Sequence, residues 1–277
     1  LNINHVFKVT NSIIAIQDRM KDVVLYFDDK GTFLYQTKGL QYGCDIECIG
    51  CNRIAVDVRS VGGIYNPKTE DYAFVVSDSL YQKVYAVGTD TYSEKLNYGA
   101  TKRLFRYNDI VYGIPNFENY VYQFDSEGVC VKYVLDIISD DVSDFRYSTR
   151  EELKQLEQRY PFFKGHFYEF DNYSCFVIRS ASFDAYILYN HQAKGVYLLD
   201  SEYANPLITF FWNPYMVDAG NAFVTSSLPA TLLSYKEQFY DGASVEIRKD
   251  LDLLYNDMKV DDNPVLFFYH LKDKIAE

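Results

Sequence analysis

The chain has 277 residues, 27 Lys and Arg against 39 Asp and Glu, and a formal net charge of -12. That balance opposes a nucleic-acid phosphate backbone or an anionic membrane surface, both of which are bound by clustered cations. With 48% hydrophobic and 24% charged residues the chain is globular, and its apolar runs, such as Val23–Phe27, are too short to span a bilayer.

Aromatic residues make up 17% of the chain, with 27 Tyr and 20 Phe against 14 Gly and 7 Pro. Flat rings in short runs suit strands, where they pack across a pleated surface. The first such pattern is Asn11–Ile16, then Val23–Asp28, then Gly31. An Asp that bonds its own backbone, followed by a Gly at positive φ, marks a tight turn between strands. Downstream, Arg53–Val58, Asp71–Val76 and Gln82–Val87 read as strands around a Tyr65-Asn66-Pro67 turn.

The first pattern then recurs. Residues 11, 28 and 31 reappear in kind at 108, 125 and 128, a constant offset of 97. The second copy is Asn108–Ile114, Tyr120–Asp125 and Gly128. A looser third runs Tyr173–Ile178, Tyr186–Asn190 and Gly195. An offset of 97 holds two units close to the ~40–50 residues of propeller repeats, with 46–98 as the intervening unit. The reading is all-β, a β-propeller of five or six blades by count, in one domain over 1–277. A sandwich or two-barrel arrangement is the competing architecture.

Two segments depart from the β pattern. Ser148-Thr149-Arg150-Glu151 is a capping box that opens a helix near 149–160, stopped by Pro161. Pro229 opens a second helical region over 229–258, comprising Ala230–Phe239 and Ser244–Met258. In the latter Ile247, Leu251, Leu254 and Met258 share one face. Asp262–Tyr269 then reads as a terminal strand, of the kind that in a propeller completes a blade begun by the N-terminus.

These residues resemble a six-bladed β-propeller family abundant in gut Gram-negative anaerobes. The likeness lies in Val24–Leu34, Asp109–Tyr112, the helix ahead of Phe167–Ile178 and the closing Asp-Asn-Pro-Val-Leu at 262–266. Family members carry a Gly-Pro-Gly-Glu type segment where this chain has Leu40–Cys44. The resemblance implies six blades, a (lipo)protein made behind a signal peptide, an extracytoplasmic location and no established reaction. It is consistent with a first residue other than Met, and with a lipid anchor on a removed N-terminus.

Chemical motifs are sparse. Cys44, Cys48 and Cys51 could offer three thiolates, but a structural zinc site takes four ligands and no Cys or His nearby in sequence supplies the fourth. Free thiols and one disulfide are the alternatives, and neither a metal nor a cofactor is expected. The histidines form no helix-borne zinc pair, and no nucleophile elbow or phosphate loop is present. The acidic runs Asp140-Asp141…Asp144 and Asp261-Asp262 lack the calcium-loop spacing.

Candidate ligand-binding residues are Trp212, Asn213 and Tyr215, in the aromatic run Phe210–Tyr215, and His166 in a loop-like segment. An aromatic face beside a polar handle is an efficient binding surface, whereas a core plug is the other role open to Trp212. The expected function is a non-catalytic propeller that binds a ligand, such as a glycan, or a partner protein. A glycan hydrolase or lyase using carboxylates at the axis, and a structural partner subunit, are the alternatives.

Overall fold

The computed structural model describes residues 3–18, 21, 23–38, 45–49, 53–57, 73–78, 83–87, 103–115, 120–136, 150–159, 162–179, 184–199, 215–216, 222–241 and 243–270. Strands dominate, so the fold is all-β with helical insertions. The strands form five antiparallel sheets among these residues.

The first sheet is β1 (Ile3–Thr10), β2 (Ile13–Asp18), β3 (Val23–Asp28) and β4 (Phe33–Lys38), in that order. The second is β5 (Asp45–Cys48), β6 (Arg53–Asp57), β7 (Phe74–Asp78) and β8 (Lys83–Val87). The third is β9 (Leu104–Tyr107), β10 (Ile110–Gly113), β11 (Tyr120–Phe124) and β12 (Val129–Val134). The fourth is β13 (Phe162–Glu169), β14 (Tyr173–Arg179), β15 (Asp184–Asn190) and β16 (Val196–Leu199), preceded by α1 (Arg150–Arg159). The last holds three strands, β17 (Tyr215–Met216), β18 (Ala222–Ser227) and β19 (Val265–His270).

The repeat therefore contains one strand more than its sequence signature. Asn11 and Asn108 do not begin strands. They sit in the two-residue turns 11–12 and 108–109 that join an unrecognised first strand to the second, and Asn108 takes φ 52°. An Asn tolerates that left-handed conformation because its short polar side chain bonds locally. The turns after the third strand are as expected. Asp28 Oδ1 accepts the N–H groups of Lys30 at 3.0 Å and Thr32 at 2.7 Å, and Gly31 takes φ 81°. Asp125 Oδ1 accepts those of Glu127 at 2.9 Å and Gly128 at 3.1 Å, with Gly128 at φ 154°. In the third copy Asn190 Oδ1 plays this part, but Lys194, not Gly195, takes the positive φ of 56°.

The donors around these two carboxylates favour the ionised form. The Thr32 N–H holds Asp28 below its ordinary value, and the Gln123 amide, followed by backbone N–H groups, does so for Asp125. A folded pKa below the unfolded one contributes stability above the ordinary carboxylate value of about 3.9, and that stability is lost as pH falls through the folded pKa. Carboxyl-carbon NMR titration is expected to place both midpoints below the ordinary carboxylate value of about 3.9. Midpoints at the ordinary value would remove the turn contribution.

The described residues divide into two compact units, one comprising 1–169 and 174–187, the other 170–173 and 188–277. In the first, consecutive first strands lie against each other, β1 on β5, β5 on β9 and β9 on β13. The sheets pack face to face. Phe7, Ala15 and Val24 of the first sheet meet Ile46, Cys48, Val56 and Val75 of the second. The second sheet's other face, with Ala55, Phe74 and Val76, meets Leu104, Val111 and Phe124 of the third. Phe74 and Phe124 contact edge to face at 5.8 Å.

The second unit covers β19 with helices. The predicted helix 230–239 is interrupted, giving α2 (Pro229–Ser234) and α3 (Lys236–Asp241) on either side of Tyr235. The Tyr235 N–H bonds Leu232 O and its φ and ψ of -101° and 4° leave the helical region. Then α4 (Val245–Tyr255) starts at Ser244, whose Oγ accepts the Ile247 N–H. Leu232, Phe239, Leu251 and Tyr255 form the core there, against Val265 and Phe267. The terminal strand pairs with β18, while β1 pairs with β2 in the first sheet, so β19 does not extend a sheet begun by the N-terminus.

Candidate functional site

In a four-stranded meander the first strand starts, the second strand stops and the fourth strand exits at one common end. Side-chain bonds tie these ends together in the first unit. Asp45 starts β5 and pairs across the ladder with Asp57, which ends β6. Arg103 precedes β9, 46 positions from Asp57 in the chain. Its Nε donates to Asp57 Oδ2 at 3.0 Å and its second guanidinium arm to Oδ1. The Asp45 Oδ2 accepts the N–H groups of Arg103 at 3.2 Å and Leu104 at 2.9 Å, and its Oδ1 accepts that of Ile46 at 3.1 Å. At the far end, an Arg106 arm donates to Lys8 O at 3.1 Å, so β1 and β9 also run the same way.

The consequence is a marked asymmetry. The connections 39–44, 58–73 and 88–103 all leave from the Asp45 end. In the first three sheets the opposite ends carry the shorter connections 11–12, 29–32, 49–52, 79–82, 108–109 and 125–128. Long connections displayed by a rigid scaffold are where binding residues gather. The candidate site is therefore the end of the first three sheets at which Asp45, Asp57 and Arg103 lie.

The base itself does no chemistry on a ligand. Asp57 and Arg103 are 0% exposed and Asp45 is 1% exposed. Asp57 is taken by a two-pronged guanidinium contact, Asp45 by backbone amides, and the Arg103 Cζ lies 5.4 Å from the Phe74 ring centroid. Two facing carboxylates so occupied are not a free acid and base. Their work is positional: they hold the start of β9 against the second sheet.

A second polar cluster closes the opposite end of the fourth sheet. Ser174 Oγ lies 2.6 Å from Glu169 Oε2, and the Tyr133 hydroxyl donates to Glu169 Oε1 at 3.1 Å. Burial, and then the Glu169 charge, raise the Tyr112 phenol above its ordinary value. This network pins the short turn at 170–172, and both Glu169 and Ser174 are buried.

Of the residues singled out from sequence, Trp212 and Asn213 lie outside the described residues, as do Cys44, Cys51, the turn at 65–67 and the acidic run 140–144. His166 is not in a loop. It lies within β13 opposite Val177, just past an irregularity in register after Phe163. Tyr215 opens β17 opposite Val224. His166 belongs to the first compact unit and Tyr215 to the second. Sequence reading did not identify Asp45, Asp57 or Arg103. The one local signal was a carboxylate closing the apolar run Ile54-Ala55-Val56.

Among the described residues no three His, Cys, Asp or Glu side chains gather as a metal site. Cys48 and Cys175 are buried and Cys130 is exposed. Burial pushes the Cys48 thiol up to about 12, ahead of a further push from Glu47, and raises Cys175 as well. Of these three, Cys130 is expected to react first with a maleimide at neutral pH, with Cys48 and Cys175 following only on unfolding. Peptide mass mapping tests this, and early labelling of Cys48 would contradict its burial. Among the described residues no helix is long and apolar enough to cross a membrane.

The fold is shared with a "putative exported protein" of Bacteroides fragilis, at a TM-score of 0.70 and 17% identity, over 98% of this chain and 77% of that one. More distant likenesses are a DUF4221 family member from Bacteroides vulgatus and Hsv2 from Kluyveromyces lactis. The first has a TM-score of 0.46 and 8% identity, over 78% of this chain and 69% of that one. The second has a TM-score of 0.42 and 11% identity, over 82% and 57%. No protein-family model and no curated protein matches the chain.

Proposed function

We propose that the chain is a non-catalytic, extracytoplasmic β-propeller domain over 1–277 that binds a ligand or a partner protein. Binding takes place at the end of the sheets from which the long connections emerge. The observation that carries this reading is the asymmetry between ends: the connections 58–73 and 88–103 join strand ends on the side of the buried Asp45, Asp57 and Arg103 base, and shorter connections join the ends on the other side. The propeller reading is supported by repeated four-stranded meanders whose first strands follow one another side by side. The extracytoplasmic reading is supported by the likeness in fold to the Bacteroides fragilis protein, which is named as exported.

A glycan is the ligand class we test first; Trp212, Asn213 and Tyr215 in the second unit and His166 in the first are tested as separate candidate contacts. The experiment is a glycan array with product analysis by mass spectrometry, followed by hydrogen exchange with the bound glycan. Binding without turnover, with protection concentrated in 58–73 and 88–103, is the expected result. Turnover would replace the reading with a hydrolase or lyase. Protection confined to the turns 29–32 and 125–128 would move the site to the other end. Trp212→Ala is expected to weaken glycan binding about tenfold, the scale of one lost aromatic stacking contact. Unchanged binding with a lowered unfolding midpoint would assign Trp212 to the core.

A further inference from the structure

The polar cluster at the turn between β13 and β14 can be counted hydrogen by hydrogen. Glu169 closes β13, Ser174 stands opposite it in β14, and Tyr133 reaches both from β12 of the third sheet. Ser174 Oγ lies 2.6 Å from Glu169 Oε2 and 2.9 Å from the Tyr133 hydroxyl oxygen, which itself lies 3.1 Å from Glu169 Oε1. The three groups therefore close a triangle in which each touches the other two. Glu169 is 6% exposed and Ser174 0%. The Phe167 and Phe176 rings stand 6.0 and 5.7 Å from the Tyr133 ring.

Each side of the triangle takes one hydrogen. A hydroxyl carries one and an ionised carboxylate carries none. With Glu169 ionised, two hydrogens serve three sides, and one side sets oxygen lone pairs against each other. With Glu169 protonated the count closes. The acid O–H donates to Ser174 Oγ, the Ser174 hydroxyl donates to the Tyr133 oxygen, and the Tyr133 hydroxyl donates to Glu169 Oε1. Contacts that these groups make elsewhere do not alter the count, because neither hydroxyl gains a second hydrogen from them. Burial acts in the same direction, since taking a carboxyl group out of water favours its neutral form.

We infer that Glu169 keeps its proton at neutral pH, and that the ring of three hydrogen bonds is a pH-sensitive clasp between the third sheet and the turn 170–172, closed in acid and opened by base. Loss of the proton removes the donor to Ser174 and leaves a buried charge. The titratable groups on the strands around it are Tyr112 of β10, Tyr107 of β9 and Cys130 of β12, with Asp171 in the turn itself. The Lys132 ammonium of β12 lies 5.8 Å from the Tyr133 ring centroid. The Glu169 charge that raises the Tyr112 phenol is the one acquired in base, because the carboxyl group releases its proton before that phenol does. An acid held protonated by the fold contributes stability that is fully present below the ordinary glutamate value of about 4.3, and that stability is lost as pH rises towards the folded value.

The test compares the parent chain with Glu169→Gln, whose side-chain N–H replaces the acid O–H at every pH. Urea unfolding of both proteins between about pH 5 and 8 isolates residue 169, because the other groups titrate alike in each. The folding constant of the parent, relative to the variant, is expected to fall at least about fiftyfold across that range, the linkage expected of a glutamate whose midpoint moves from about 4.3 to about 7 or above. Carboxyl-carbon NMR of the parent, with Glu169 assigned through its own backbone, reads the same proton directly and stands even if the variant does not fold. A midpoint above about pH 7 is expected, with faster amide exchange at 170–174 once it is passed. A midpoint below that pH, or a parent that holds or gains stability relative to the variant as pH rises, overturns the inference. Exchange at 170–174 that does not change across the midpoint overturns the clasp.

Discussion

Arg103→Ala is expected to lower the unfolding free energy by about 3–5 kcal/mol, the scale on which removing one partner from a buried ion pair strands the other. Arg103 and Asp57 are both 0% exposed, so solvent cannot replace the lost guanidinium. The Asp45 carboxylate would keep its backbone donors, since those belong to the chain at 103, 104 and 46 and not to the arginine side chain. Arg103→Lys is expected to recover only part of the loss, because an ammonium cannot donate the parallel pair of bonds that Asp57 accepts. The double change Arg103→Met with Asp57→Leu is expected to recover most of it, since no buried charge is left unpaired. Urea unfolding of the four proteins checks this. A loss under about 1 kcal/mol for Arg103→Ala would mean that the pair is hydrated, and that the base under the long connections is not rigid.

Phe124→Ala and Phe27→Ala are expected to differ sharply although they alter equivalent positions of the repeat. Phe124 is 0% exposed and packs edge to face with Phe74 at 5.8 Å. Truncating it removes apolar burial and leaves a cavity between two sheets, at a cost of about 3–5 kcal/mol. Phe27 is only half-buried. Its truncation is expected to cost well under half as much. Equal losses at both positions would mean that the first sheet is covered.

Three particular elements separate what was legible in the residues from what was not. The hairpins Ile13–Asp28 and Ile110–Phe124 were legible because their signals are local: alternating apolar residues, then an Asx and a Gly at the required places. The helix α4 was legible for the same reason, with Ser244 ahead of an apolar stripe, although it stops at Tyr255 where the sequence pattern runs on to Met258. The first strand of each repeat was missed. Ile3–Thr10 and Leu104–Tyr107 carry no turn signature of their own, and the polar–apolar alternation of Asp45–Cys48 spans only four residues.

The candidate site was less legible still. Asp57 and Arg103 are ordinary residue types 46 positions apart, and nothing in either neighbourhood announces the other. They meet because β9 is laid against the start of β5 and the end of β6, which is a property of how sheets stack. His166 shows the reverse failure, since a Gly-His pair reads as a turn but lies in the ladder opposite Val177.

Order along the chain, the all-β class, the 97-residue repeat and the turn chemistry follow from short-range forces, because backbone conformations and Asx bonds are decided within a few residues. Which carboxylates are buried and how far a repeated position is enclosed follow from sheet stacking. Ile14 and Val111 hold the same place in the repeat, and one is 40% exposed while the other is 0%. Only the neighbouring sheet makes that difference.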